Sequence, residues 1–328
     1  MSQSPTLRRL LPIALSVAIV TMAARVLYKT IRHIKLADVL AALHAIPLAS
    51  ILISVLLVTT LYNALAIYEA IVVRFVEGGA SPRRAVLAAL LAAPIGHAVG
   101  WGAVSGGAIR YRIYSAVHLP PLDIGKIALL AAIPYPAGLG LLLGVSLVLQ
   151  SEPAAAILHV SAALARGTGL ALLALHAAYL FLIATRRAPL VFGRFRMTLP
   201  PPDVTAVQYC VGVIEVCCGA GVLYLMLPPI PGLPFLVFLG VYVLSILAAL
   251  ASSVPAGLLV LEAMLIRLLP HVPEPTLLAA VAVYRLVLEI VPLLVAISLF
   301  VAYELWWKLP RQRRRAAALK AERDLRRP

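Results

Sequence analysis

Apolar runs close to the length of a bilayer recur through this chain, at about 10–28, 47–73, 125–149, 168–185, 205–227 and 277–306. A helix needs about 20 predominantly apolar residues to cross the hydrocarbon core, so each run reads as a crossing. The runs are continuous and do not alternate in segments of roughly ten residues, which selects helices over the strands of a barrel. Hydrophobic residues make up 62% of the 328 and charged residues 12%, with a mean hydropathy of +1.01. An ordinary soluble domain is nearer half apolar and is excluded.

Two further apolar segments carry helix breakers. Residues 85–105 contain Pro94, Gly96, Gly100 and Gly102, and residues 235–269 are interrupted by SSVPAG at 252–257. Clustered basic residues mark cytoplasmic loops. Arg186, Arg187, Arg194 and Arg196 form one cluster and the tail beyond Trp307 another. Counting two crossings back from Arg186 puts the 106–124 loop, with Arg110 and Arg112, on that same side, and Arg74, Arg83 and Arg84 give the 74–84 loop the same preference. Residues 85–105 then enter and leave on one side, as a re-entrant hairpin. The same parity makes 235–269 a hairpin entering from the opposite face. The expected architecture is an all-α polytopic membrane protein of about six full spans plus two broken helical hairpins, the layout of an inverted repeat. It forms one transmembrane domain, residues 1–308, and a basic cytoplasmic tail, residues 309–328. Both termini are expected in the cytoplasm. Lys29, Arg32 and Lys35 fall outside in this scheme, where an interfacial amphipathic helix at 30–45 would hold them.

The formal net charge of +15 gathers at span ends and in the tail, which points to contact with an anionic lipid surface. The tail KLPRQRRRAAALKAERDLRRP lacks the aromatic interleaving of a single-strand platform, so no nucleic acid is expected as a partner. Cys210, Cys217 and Cys218 lie in one apolar run without metal-ligand spacing. The seven histidines are scattered, and no nucleophile elbow, phosphate loop or zinc signature occurs. No metal, cofactor or enzymatic activity is expected. Arg8 and Arg9 precede an apolar run without a small-x-small cleavage site, so the first run reads as a retained span.

Charges inside spans are expensive and mark functional positions. Here they are Glu69, Glu215, Glu262, Arg285 and Glu289. Arg285 and Glu289, at i and i+4, suit a local pair, and Arg285 could equally meet Glu262 across the bundle. In SGGAIRYRIYS, residues 105–115, Arg110 and Arg112 point to different faces of a helix while Arg110 and Tyr114 share one. Two readings fit. The arginines capture a lipid phosphate, with Gly106 and Gly107 allowing close approach, or they simply mark a positive-inside loop.

Three blocks, GGAIRYRIYSAVHLP at 106–120, SVPAGLLVLEAMLIRLL at 253–269 and YRLVLEIVPLLVAI at 284–297, resemble the YbhN-type inner-membrane proteins. That group is related to the transmembrane, flippase-like domain of lysylphosphatidylglycerol synthases, without the synthase domain. The resemblance covers nearly the whole chain. It implies a multi-pass protein of the bacterial inner membrane that moves a phospholipid, anionic or aminoacylated, between leaflets by alternating access. The family's motif positions fall on Gly106, Gly107, Arg110, Arg112 and Tyr114 for headgroup binding. Glu69, Pro255, Gly257, Glu262, Tyr284 and Arg285 fall near the midplane. Three positions depart from the pattern: Glu69 stands where aspartate is frequent, Leu259 replaces a glycine, and Glu289 replaces a tyrosine. The expected partner is a membrane phospholipid, with association into a homo-oligomer left open. The alternatives are a non-transporting, lipid-binding scaffold with a basic tail, and an intramembrane hydrolase using Ser105 and His97.

Overall fold

A computed structural model describes residues 46–77, 80–99, 102–185, 190–192, 195–197, 199–252 and 257–305. The expected span at 10–28, Pro255, the tail 309–328 and the 308/309 boundary lie outside them. The described chain is helical except for a small antiparallel hairpin of β1 (Leu190–Phe192) and β2 (Phe195–Met197), with Val191 opposite Arg196.

Helix α1 (Leu48–Glu77) is the first described crossing. Its polar side chains are absorbed locally: Ser54, Thr59 and Thr60 donate to the carbonyls four residues back at 2.7–2.8 Å, which spares an apolar span unpaired hydroxyls. Helices α2 (Pro82–Val99) and α3 (Gly102–Tyr114) follow. A crossing over 121–149 is broken into α4 (Pro121–Ala131) and α5 (Pro134–Leu149). Short α6 (Ser151–Leu158) leads to the crossing α7 (Ala162–Thr185). Then come α8 (Pro202–Met226), α9 (Phe235–Ala251), α10 (Val260–Leu268) and α11 (Glu274–Leu305). Proline opens α2, α4, α5 and α8, where its missing N–H costs no hydrogen bond.

Five helical segments among the described residues are long and apolar enough to cross a membrane, and they coincide with the last five expected spans. Both broken segments fold back as hairpins. In the first, Gly106 of α3 lies on Ala92 of α2 and Ser105 Oγ donates to the Gly96 carbonyl at 3.5 Å. One difference from the sequence expectation is that residues 106–114 are not loop. They form the second arm of the hairpin, because nothing after Gly102 breaks the helix before His118, whose φ of 64° ends the following 3-10 turn.

The hairpins enter from opposite ends of α11. The open end of the first meets its C-terminal end, through Arg112 on Glu304 and Arg84 on Tyr303. The second runs directly into its N-terminal end at Glu274. Each hairpin builds its own apolar core. One core joins α1 to α4 with Leu293, Ala296 and Phe300 of α11, and the other joins α5, α8, α9 and α10 with Leu277 to Tyr284 of α11. Between α5 and α8 the backbones touch: a Cβ on Gly138 would collide with Gly212, and one on Gly212 with Pro134. Small residues permit such close crossings where no hydrophobic force separates helix from lipid. The outward faces of α1 and α7 remain apolar, with Leu52, Leu56, Leu175 and Phe181 exposed.

Candidate functional site

Described residues of both hairpins meet at a cavity of about 560 Å³ between the two cores. The first hairpin contributes Pro94, His97 and Arg110 to its wall, and the second contributes Ala249, Gly257 and Leu261. Glu289 lines it midway along α11, about 22 Å from each of Glu274 and Glu304 at 1.5 Å per residue. The wall is apolar with a polar belt. Its charged members are Glu69, Glu215, Glu289 and Arg110, with His97 beside them, and the hydroxyls come from Tyr62, Tyr68, Tyr135, Tyr242 and Tyr284.

Each hairpin is pinned to a neighbouring span by a two-pronged arginine–glutamate contact. In the first, Arg110 on α3 donates from Nε and Nη2 to the carboxylate of Glu69 on α1, at 2.9 and 2.7 Å, and Tyr114 adds a hydroxyl at 2.9 Å. In the second, Arg285 on α11 donates from Nε and Nη2 to Glu262 on α10, at 2.8 and 3.2 Å. The remaining nitrogen, Nη1, reaches Glu289 Oε2 at 3.0 Å. Both readings of Arg285 drawn from the sequence therefore hold at once. Arg285 is 2% exposed and Glu69 1%, and a buried pair of this kind is tolerated only with such full donor–acceptor matching.

The helix is locally modified where Arg285 acts. Residues Leu286–Ile290 form a π-helical turn, with the Val291 N–H bonded to the Leu286 carbonyl. Such turns are frequent at functional sites. The opposite partner, Glu262, sits in the first turn of α10 behind two left-handed residues, Gly257 at φ +57° and Leu259 at φ +67°.

Of the residues expected from sequence, Glu69, Arg110, Gly257 and Tyr284 line the cavity. Tyr114 and Arg285 stand one contact behind its wall, on Glu69 and Glu289, and Glu262 stands behind Arg285. Arg112 lies apart, bonded by Nε and Nη2 to Glu304 at 2.7 and 2.8 Å. Gly106 faces the Ala92 carbonyl, so its lack of a side chain serves the contact between α2 and α3; Gly107 faces Ala128. Sequence reasoning missed Glu304, whose partner is 192 positions away. It also missed Tyr62, Tyr135 and Tyr242, which look like ordinary aromatics of apolar runs until three helices converge on one cavity. Tyr242 and Tyr284 hydroxyls are 2.9 Å apart.

No family model matches the sequence. Over 288 residues the chain is 24% identical to the uncharacterized protein slr0712 of Synechocystis sp., covering 88% of this chain and 89% of that protein. Over 218 residues it is 28% identical to the inner membrane protein YbhN of Escherichia coli K12, covering 65% of this chain and 68% of YbhN. Both proteins are homologues of the chain, and with its long apolar helices this is consistent with a YbhN-type membrane protein.

Proposed function

We propose that the chain moves a phospholipid headgroup between leaflets, without chemical conversion, through the cavity between the two hairpins. One observation supports this most directly. The hairpins enter from opposite ends of the bundle, and each is held by an arginine–glutamate contact beside the same cavity. Broken helices that meet near the midplane are the usual site of transport in inverted-repeat carriers, and about 560 Å³ suits a headgroup-sized ligand.

In the proposed cycle a lipid phosphate competes with Glu69 for Arg110. Carboxylate and phosphate are both two-pronged acceptors for guanidinium, so the exchange replaces one matched contact by another. Opening the pair without a replacement costs about 3–5 kcal/mol. The first hairpin is thereby free to move only when cargo is present. The Arg285 contact with Glu262 plays the corresponding part for the second hairpin, and tyrosine hydroxyls of the belt meet the rest of the headgroup. The lipid is anionic or aminoacylated, the termini face the cytoplasm, and the basic tail rests on the anionic leaflet.

Leaflet exchange of fluorescent phosphatidylglycerol, phosphatidylethanolamine and cardiolipin in proteoliposomes tests the proposal. Wild-type protein accelerates exchange of at least one lipid, and Arg110→Ala and Glu262→Gln abolish it. Equal exchange by wild type and by both variants, with all three monodisperse, would rule the reading out.

A further inference from the structure

Glu215 stands apart from the other acids of the cavity. Glu69 and Glu289 each hold an arginine, whereas among the described residues the partner of Glu215 is His97, with Nε2 and Oε1 3.5 Å apart. Glu215 is on α8, the span that contributes to both cores, and its side chain is 5% exposed. His97 is in the last turn of α2, at the tip of the first hairpin, and its side chain is 46% accessible within the cavity wall. Its ring lies 5.7 Å from that of Tyr135. The imidazole is thus open to water-sized molecules on one side and touches a buried carboxyl on the other.

We propose that Glu215 and His97 form a proton-binding site through which a proton gradient acts on the first hairpin. The inference rests on the translocation reading for its use, though not for its chemistry. With Glu215 ionised, a neutral His97 carrying its proton on Nε2 faces the carboxylate at 3.5 Å, between the first hairpin and α8. A proton from cavity water binds Nδ1, and the Nε2 proton passes to Glu215 Oε1. The imidazole ends neutral, with its proton on Nδ1, and the carboxyl ends neutral too. One proton has been taken up, no other bond has changed, and the carboxylate charge that faced the hairpin is gone.

The surroundings permit this. Arg110 is a fixed positive charge that acts on His97, and Glu69 occupies it. Glu289 is held by Arg285. The remaining groups that face the pair are Tyr62, Tyr135, Tyr242 and Cys218, none of which carries a fixed charge. A carboxyl without a cationic partner at this depth is the arrangement used by proton relays in membrane carriers. A metal cation would need several oxygen ligands from the same place.

The test uses the full-length protein in proteoliposomes with two readouts. The first is pH-jump infrared difference spectroscopy of the carboxylic-acid carbonyl band in wild type, Glu215→Gln and His97→Gln. The second is the ratio of lipid-exchange rates with and without an imposed pH gradient, at constant sodium. The expected result is a titrating band in wild type that Glu215→Gln removes, and a several-fold rate ratio that falls to unity in both variants. A band that survives in Glu215→Gln overturns the site, as does a gradient response unchanged by either variant. A response that follows sodium at fixed pH overturns it as well. If wild type exchanges no lipid at any pH while Glu215→Gln still removes the band, the translocation reading fails and the proton site stands.

Discussion

Arg110 and Glu262 hold equivalent places in the two hairpins, each on the returning arm and each reaching a neighbouring span, but with opposite charge. Arg110 meets the carboxylate of Glu69 on the span before its hairpin, and Glu262 meets the guanidinium of Arg285 on the span after its own. The two contacts are thus inverted in chain order as well as in the end of the bundle from which their hairpins enter. Both hairpins are therefore held at one cavity by polar contacts as well as by apolar packing.

The first prediction separates stability from function at Arg110. Arg110→Ala removes the cationic partner of buried Glu69, leaving only the Tyr114 hydroxyl on its carboxyl, and lowers stability by about 3–5 kcal/mol. The double variant Arg110→Met with Glu69→Leu removes both charges and keeps the volume, and recovers most of that loss. Thermal unfolding in detergent measures both. Lipid exchange stays absent in the double variant, because no guanidinium remains for a phosphate.

Much of this arrangement is legible in the sequence, and the reasons are physical. Hydropathy over about 20 residues reports spans directly, and the breakers of 85–105 signal the hairpin, although Pro94 and Gly96 themselves lie inside α2, which runs on to Val99. The shared face of Arg110 and Tyr114 follows from helical spacing, and both do meet Glu69. What the sequence does not carry is the choice of partner. Arg112 is two residues from Arg110 and chemically identical to it, yet it pairs with Glu304 at the far end of α11, a contact no local pattern encodes. The cavity is equally invisible, since its tyrosines come from α1, α5, α9 and α11, and of these only Tyr284 stands in a block the sequence singles out.

The second prediction concerns that difference between the arginines. Arg112 lies outside the cavity, so Arg112→Gln lowers stability through the loss of Glu304 pairing and leaves the order of lipid preference unchanged. Arg110→Gln changes exchange of every lipid. Competition among fluorescent lipids in one proteoliposome preparation reads the preference; a reordering caused by Arg112→Gln would place that arginine in the lipid path.

The third prediction distinguishes two adjacent glycines of α3. A Cβ on Gly107 meets Ala128 at an ordinary 3.6 Å, so Gly107→Ala gains helix propensity of up to about 1 kcal/mol. A Cβ on Gly106 would lie 3.2 Å from the Ala92 carbonyl and 3.1 Å from Arg110 Nη1. Gly106→Ala must part α2 from α3 or displace the guanidinium, and it yields no gain. The thermal midpoints therefore move apart, with Gly107→Ala above wild type and Gly106→Ala at or below it, and exchange is impaired in Gly106→Ala alone.

The fourth prediction follows from the turn of the second hairpin. Leu259 has φ +67°, a left-handed conformation that costs a residue with a Cβ about 1–2 kcal/mol, and it occupies the position where the resembling pattern has glycine. Its side chain is 66% exposed, so little packing is lost on removal. Leu259→Gly relieves the strain, while glycine's extra unfolded-state freedom returns about 0.5–1 kcal/mol. The net effect is a stabilisation of about 0.5–1 kcal/mol. Leu259→Ala keeps the Cβ and gains nothing, which makes it the control. Gly257→Ala is the opposite case: φ is +57°, and the new Cβ would lie 2.6 Å from the Ala249 side chain, so both backbone strain and overlap act against it. Ranked by thermal midpoint, the expected order is Leu259→Gly, wild type with Leu259→Ala, then Gly257→Ala. A midpoint for Leu259→Gly below wild type would mean that the leucine side chain holds the turn through contacts worth more than its strain.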